Sequence, residues 1–168
     1  SGSSLIHPHS QLIVLPSAPA RTRRTRRRAQ EHNLSRRRCH LCELLAAEFQ
    51  EERRMVIIDE LFAAYVPFGA RVPFEVRIVP RHHVARFEYS SNSKALASIY
   101  HQIFKRLTSA LGPFDFNVTL HTAPFQTDAD RYWHWYLEIL PRQFIMGGLE
   151  WNSGSFVNTV WPETAAKV

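Results

Sequence analysis

Two histidines flank a proline near the start of the chain, in His7-Pro8-His9-Ser10-Gln11, ahead of the apolar run Leu12-Ile13-Val14-Leu15-Pro16. Imidazole is largely neutral at pH 7, and a neutral ring nitrogen attacks phosphorus without first losing a proton. Residues two apart in an extended chain point to the same side. A strand over residues 1–16 therefore presents His7, His9 and Gln11 together, as a nucleophile set for phosphorus chemistry. The second group is Cys39-His40-Leu41-Cys42, a C-x-x-C formed by the only two cysteines. Such a pair suits a metal half-site or a redox couple better than a structural disulfide. His82 or His83, at the end of one strand candidate, and His134, at the start of another, complete a Cys2His2 set. Four such ligands make a closed tetrahedral site suited to zinc, hence structural. A thioredoxin-like pair, or two buried thiols with unrelated histidines, are the competing readings. His121 reads as a satisfied strand histidine before a cleft residue. His32, His40 and His101 read as surface residues, and Phe104, Trp133 and Trp135 as core.

The elements that must position these residues alternate in type. A turn at 17–20 precedes a basic helix over 21–35, and good helix formers fill 43–54. Strand candidates follow at 55–59, 62–66 and 74–79, the last two separated by Pro67-Phe68-Gly69. Leu96, Ile99, Tyr100, Ile103, Phe104 and Leu107 recur at helical spacing within 93–111, stopped by Gly112-Pro113. Strands are expected at 116–122 and 133–140, Gly147-Gly148 breaks the chain, and a short strand at 156–160 precedes a last helix opened by Pro162-Glu163. This is an α+β pattern, an antiparallel sheet with one long helix over a face. A faint echo accompanies it: His134-Trp135-Tyr136 repeats His7-Pro8-His9, with Tyr136 where the central histidine stood.

At 168 residues, 45% hydrophobic and 12% aromatic, the chain can bury one ordinary core. It has no apolar run approaching the roughly 18 residues of a membrane span and no secretory leader, which reads as cytoplasmic, with no membrane partner. There is no initiator Met, so a piece of a longer protein is expected. The net charge of +6 is local, because residues 21–38 hold nine Arg and one Glu while the remainder is slightly acidic. Without interleaved aromatics this cluster reads as a solvated helix face rather than a nucleic-acid patch.

Beyond these readings, the segment Gly2-Ser3-Ser4-(x2)-His7-Pro8-His9-Ser10-Gln11 resembles the active-site motif of galactose-1-phosphate uridylyltransferases and the related ADP-glucose phosphorylases, members of the histidine-triad superfamily. The likeness continues through Cys39-(x2)-Cys42, Tyr65-Val66-Pro67, Pro73-Phe74-Glu75, Pro80-Arg81-His82-His83, Asn117, His121-Thr122-(x)-Pro124, His134-Trp135, Gly148-Leu149-Glu150, Asn158 and Pro162-Glu163. Proteins of this family are about twice as long and hold two histidine-triad-like halves. The resemblance implies that residues 1–16 are the final strand of the first half, 17–38 a basic linker or helix, and 39–168 the second half. It implies His9 as the nucleophile, Ser4 and Gln11 as phosphate contacts, and the Pro8 carbonyl as the partner of the other His9 ring nitrogen. It implies Glu150 as a hexose contact, and Cys39, Cys42, His83 and His134 as ligands of a second metal site. His7 would be one ligand of a first site whose other ligands lie upstream. Zinc is the expected ion, with iron the alternative at the second site.

The activity so implied is transfer of UMP between a UDP-hexose and a hexose 1-phosphate, in galactose metabolism, through a covalent nucleotidyl-histidine on His9. Its partners would be a nucleotide sugar and a sugar 1-phosphate, in a homodimer. Where the uridylyltransferases carry a lysine that contacts the sugar phosphate, this chain reads Phe144-Ile145-Met146-Gly147, which keeps an ADP-glucose phosphorylase or adenylyltransferase as the alternative. A metal-stapled dimerisation module whose Arg cluster binds nucleic acid is the non-enzyme reading.

Overall fold

Strand residues alternate their side chains across a sheet, and here both faces are covered. The strands are β1 (Met55–Ile58), β2 (Phe62–Tyr65), β3 (Val76–Pro80), β4 (Phe116–His121) and β5 (Tyr136–Pro141), all antiparallel in the order β1-β2-β3-β5-β4. The computed structural model describes residues 7–11, 15–90, 92–125, 128–143 and 145–168. Its helices are α1 (Ala20–Arg36), α2 (His40–Glu51), α3 (Ser93–Leu111), α4 (Gly148–Ser153) and α5 (Pro162–Ala165). The α+β class and the antiparallel sheet read from the sequence are those of the structure. Among the described residues no helix is long and apolar enough to cross a membrane.

α3 covers one face. Ile99, Ile103 and Leu107 are buried along its inner stripe, against Phe62, Ala64, Val76, Ile78 and Ile139. Gly112, at φ 69°, ends the helix in a conformation that residues with a Cβ rarely adopt. The opposite face, which sequence patterning left uncovered, is occupied by α2, whose Leu45 packs with Ala63, Tyr65, Val79 and Tyr136. α1 follows on that side. Its Ala29 joins a small cluster of Ala85, Ala123, Ala129, Tyr132 and Trp133, and its His32 holds Glu43 of α2 at 2.7 Å.

Three expectations differ. The described part of 1–16 forms no strand: His7–Gln11 are exposed and irregular, because a strand needs a neighbour for its backbone groups and none lies beside them among the described residues. Residues 156–160 are likewise unpaired. Asn158 there ties the chain to the Ala70 and Val72 carbonyls at 3.2 and 3.4 Å, so backbone satisfaction comes from a side chain instead of a ladder. The glycines expected to break the chain instead open α4. The Gly147 N–H donates to the Glu150 carboxylate at 2.9 Å, which closes the first turn.

Candidate functional site

Four of the nominated side chains converge. Cys39 is the residue before α2, Cys42 lies in its first turn, His83 follows β3, and His134 precedes β5. Irregular extensions of the sheet align the two histidine segments, because the Trp135 N–H donates to the Val84 carbonyl at 3.0 Å and the Ala123 N–H to the Ala85 carbonyl at 3.0 Å. The four ligand atoms all lie within 4.8 Å of one another. Cys42 Sγ is 3.3 Å from His83 Nδ1 and 3.4 Å from His134 Nδ1. Those spacings approach the edge of about 3.5 Å that bonds of about 2.3 Å to sulfur and about 2.0 Å to nitrogen span in a tetrahedron.

The outer ring nitrogens settle which atoms face inward. His83 Nε2 donates to the Asp130 carbonyl at 2.6 Å and His134 Nε2 to the Pro80 carbonyl at 3.0 Å. A carbonyl only accepts, so each Nε2 carries the hydrogen and each Nδ1 turns its lone pair to the cluster. A hydrogen bond from Cys42 draws the Cys39 thiol down to about 2, against the cost of burial and with help from His134 and His83. The hydrogen bond to Cys39, burial and the negative charge of Cys39 drive the Cys42 thiol well above its ordinary range. Its hydrogen bond to Cys39 raises the His83 pKa, against desolvation, with support from Asp130. Their shared hydrogen bond thus drives the two thiols in opposite directions, and a cation bound among the four groups would find two sulfur and two imidazole donors already oriented. The donor set fits a closed structural metal site, with no position left for a reacting molecule. On the solvent side, a bowl of about 320 Å³, lined by Arg37, Arg38, Arg131 and Glu43, opens onto Cys42 and His83.

The remaining nominated residues are not gathered with these. His9 Nδ1 meets the His7 carbonyl at 3.0 Å. The expected partner was the Pro8 carbonyl; with no strand to extend the segment, the chain bends at His7 and the ring folds back two residues. Pro8 and Gln11 are exposed beside it. His7 shares in no ligand cluster among the described residues. Glu150 serves as the cap of α4. Ser4 lies outside the described residues.

A charged group that residue spacing did not suggest lies on the α2 side of the sheet. Glu138, with its side chain 1% exposed, pairs with Arg71, with Arg77 at 3.2 Å and with Arg21 of α1 at 3.4 Å. His121 Nε2 reaches it at 3.3 Å and Thr119 Oγ1 at 3.4 Å. Glu75, fully buried, accepts the Arg71 backbone N–H at 2.7 Å and lies 3.3 Å from Arg77. Burial by itself would raise the Glu138 pKa, but the His121 hydrogen bond and the Arg71 and Arg77 charges hold it well below the carboxylate range. Burial wins at Glu75 and raises its pKa. The available signal was a single Arg in Val76-Arg77-Ile78-Val79 and a single Glu in Leu137-Glu138-Ile139-Leu140, each alone among apolar residues.

The sheet order, the covering helix and a Cys2His2 group able to hold a metal define an α+β unit of histidine-triad-type fold. A zinc-bound histidine-triad protein from Mycobacterium smegmatis superposes on 77% of this chain and 88% of its own, with a TM-score of 0.53 at 16% identity, which shows the fold alone. The chain is 30% identical over 174 residues to the ADP-glucose phosphorylase of Arabidopsis thaliana, a match that spans 100% of this chain and 48% of that relative. It is 30% identical over 182 residues to a galactose-1-phosphate uridylyltransferase of Thermotoga maritima, spanning 99% of this chain and 55% of the relative. The structure of a GALT-like protein from Arabidopsis thaliana superposes with a TM-score of 0.86 at 29% identity, over 99% of this chain and 55% of the other. No family model matches. By these matches the chain is a homologue of the galactose-1-phosphate uridylyltransferases and ADP-glucose phosphorylases, and it spans about half the length of the curated relatives it matches.

Proposed function

We propose that the chain carries the nucleophile segment and the metal-stapled unit of a nucleotidyltransferase that works on nucleotide sugars. The observation that supports this most is the His9 ring. A hydrogen bond to the His7 carbonyl places the proton on Nδ1 and leaves the Nε2 lone pair exposed. In this reading residues 1–16 complete a first histidine-triad-like unit, 17–38 connect, and 39–168 form the second unit, within a homodimer.

The reaction is a double displacement. His9 Nε2 attacks the α-phosphorus of a UDP-hexose, a P–N bond forms, and the bond from that phosphorus to the bridging oxygen breaks, which releases the hexose 1-phosphate. A phosphate oxygen of a second sugar 1-phosphate then attacks the same phosphorus, the P–N bond breaks, and the nucleotidyl group leaves on the acceptor. The His7 carbonyl stabilises the Nδ1–H of the ring while the bonded ring carries positive charge. Gln11, Ser4 and Glu150 hold phosphates and hexose in this scheme. Cys39, Cys42, His83 and His134 would hold a zinc or iron ion whose contribution is to staple the fold. The same steps with ADP-glucose and inorganic phosphate as acceptor describe a phosphorylase, a reading favoured by the missing lysine in Phe144-Ile145-Met146-Gly147.

The test is intact-protein mass spectrometry after incubation with UDP-glucose or with ADP-glucose, using a protein that comprises this chain and the other half of the family's length. One adduct of a nucleoside monophosphate mapped to His9, absent from His9→Ala, is the expected result, and the donor that labels fixes the nucleotide. Sugar 1-phosphate release that survives His9→Ala would overturn the assignment.

A further inference from the structure

Arg77 of β3 stands opposite Glu138 of β5, and Glu138 stands opposite Thr119 of β4. Arg71 enters from the loop before β3, Arg21 from α1, and His121 from the end of β4. Five donor side chains from four segments thus close on one carboxylate. The donors outnumber the acceptors. Three guanidinium groups face two carboxylates, Glu138 and Glu75, which leaves surplus positive charge before His121 is counted. Arg71 Nε and Nη2 meet Glu75 and Glu138 as ion pairs, while the buried Nε of Arg77 makes no hydrogen bond. A planar carboxylate has too few acceptor directions for this cage, whereas a tetrahedral oxyanion has four oxygens to spread among guanidinium forks.

Placement adds a second argument. Counted from its leading histidine, Glu138 follows His134 by the same four residues by which Gln11 follows His7, and Tyr136 stands where His9 does. The Tyr136 ring is held between the His121 ring, stacked at 4.3 Å, and the Arg77 guanidinium at 5.1 Å. Residues 134–138 therefore repeat the sequence spacing of the nucleophile motif, with a tyrosine for the nucleophile and an acid in the cage.

We propose that the cage of Arg21, Arg71, Arg77 and His121 is a phosphate-type oxyanion site that the chain's own Glu138 carboxylate fills, so that it is closed to free phosphate and opens when that carboxylate is removed. The proposal rests on the sheet geometry and stands whether or not His9 is nucleotidylated.

The experiment is a thermal unfolding series on the metal-loaded chain with inorganic phosphate titrated at ionic strength held constant by NaCl. Glu138→Ala is expected to unfold at a lower temperature than the native chain and to regain roughly 5–10 °C, saturably, as phosphate reaches about 100 times its midpoint. Glu138→Gln fills the cage without charge and is expected to regain nothing, and Arg77→Met added to Glu138→Ala is expected to abolish the response. If Glu138→Ala is unfolded without phosphate, refolding on phosphate addition is the same result read by circular dichroism. Failure to refold, a response no larger than that of the native chain, or an equal response to chloride would overturn the proposal.

Discussion

His82 and His83 are adjacent after β3, yet only His83 reaches the cluster of sulfur and nitrogen ligands. Its Nδ1 faces Cys42 and its Nε2 is held by Asp130, whereas His82 is exposed with no hydrogen bond or ion pair among the described residues. Replacing His83 by alanine removes one of four donors and leaves two thiols and one imidazole around a cation. The expected outcome is loss of stoichiometric metal, read by elemental analysis, and a fall in stability of about 4–5 kcal/mol, the range in which loss of a structural metal belongs. His82→Ala is expected to keep both metal and stability, and equal losses in the two variants would contradict this geometry. The C-x-x-C spacing and the strand-end histidines were enough to nominate the ligands, but spacing left His82 and His83 equal. The Asp130 and Pro80 carbonyls that orient the rings were not legible, because a backbone acceptor leaves no mark on side-chain pattern.

At the scale of elements, β3, β4 and β5 are joined across one face by charge where apolar pairs would ordinarily do the work. Glu138 carries its charge deep in the fold because the three arginines and His121 surround it, and its folded pKa lies below the ordinary value of 4.5. A carboxylate whose pKa is depressed on folding stabilises fully above its unfolded pKa and loses that contribution as the pH falls through the folded one. Glu75 is shifted the other way, so its loss comes as pH rises above the ordinary value. Below about pH 4.5, then, the native chain should shed stability that Glu138→Gln never had. At neutral pH that variant is expected to be about 3–5 kcal/mol less stable, since it strands buried guanidinium groups. Urea unfolding of both proteins from pH 7 to pH 3 checks this: the gap should narrow as the pH falls, and a constant gap would refute it. The periodic elements were legible, α3 from its repeating apolar positions and β2, β3 and β5 from their short apolar runs. α4 was not, because two glycines hide a six-residue helix that depends on one Glu150 cap. The strand expected at 156–160 failed for the opposite reason, since its composition suits a sheet but the Asn158 side chain accepts the Val160 N–H and donates to the Ala70 and Val72 carbonyls in place of a ladder.

For the molecule as a whole, the cluster of Cys39, Cys42, His83 and His134 joins what the hydrophobic core leaves separate. The α3 face is a continuous apolar core that contains none of those ligands. α1 has no buried residues at all, and it is held by Ala29, by the His32 pair with Glu43, by Asn33 on the Arg131 carbonyl at 3.3 Å and by Arg21 on Glu138. Three of those four tethers sit on α2 or on the 129–133 segment, the two pieces that the metal ligands clamp to the end of β3. Withdrawal of the ion by a chelator should therefore loosen α1, the start of α2, and residues 81–86 and 129–135, while α3 and β2 stay protected. Hydrogen exchange read by mass spectrometry is expected to show faster exchange in those four segments, with α3 unchanged. Trypsin supplies an independent reading, because α1 carries six arginines between residues 21 and 28 and should be cut first after metal removal. Restored protection on adding zinc would complete the cycle. Uniform exchange across α3 and α1 alike would mean that the ion supports the entire core, and the view of it as a clamp between a self-sufficient sheet and a dependent helical arm would be wrong.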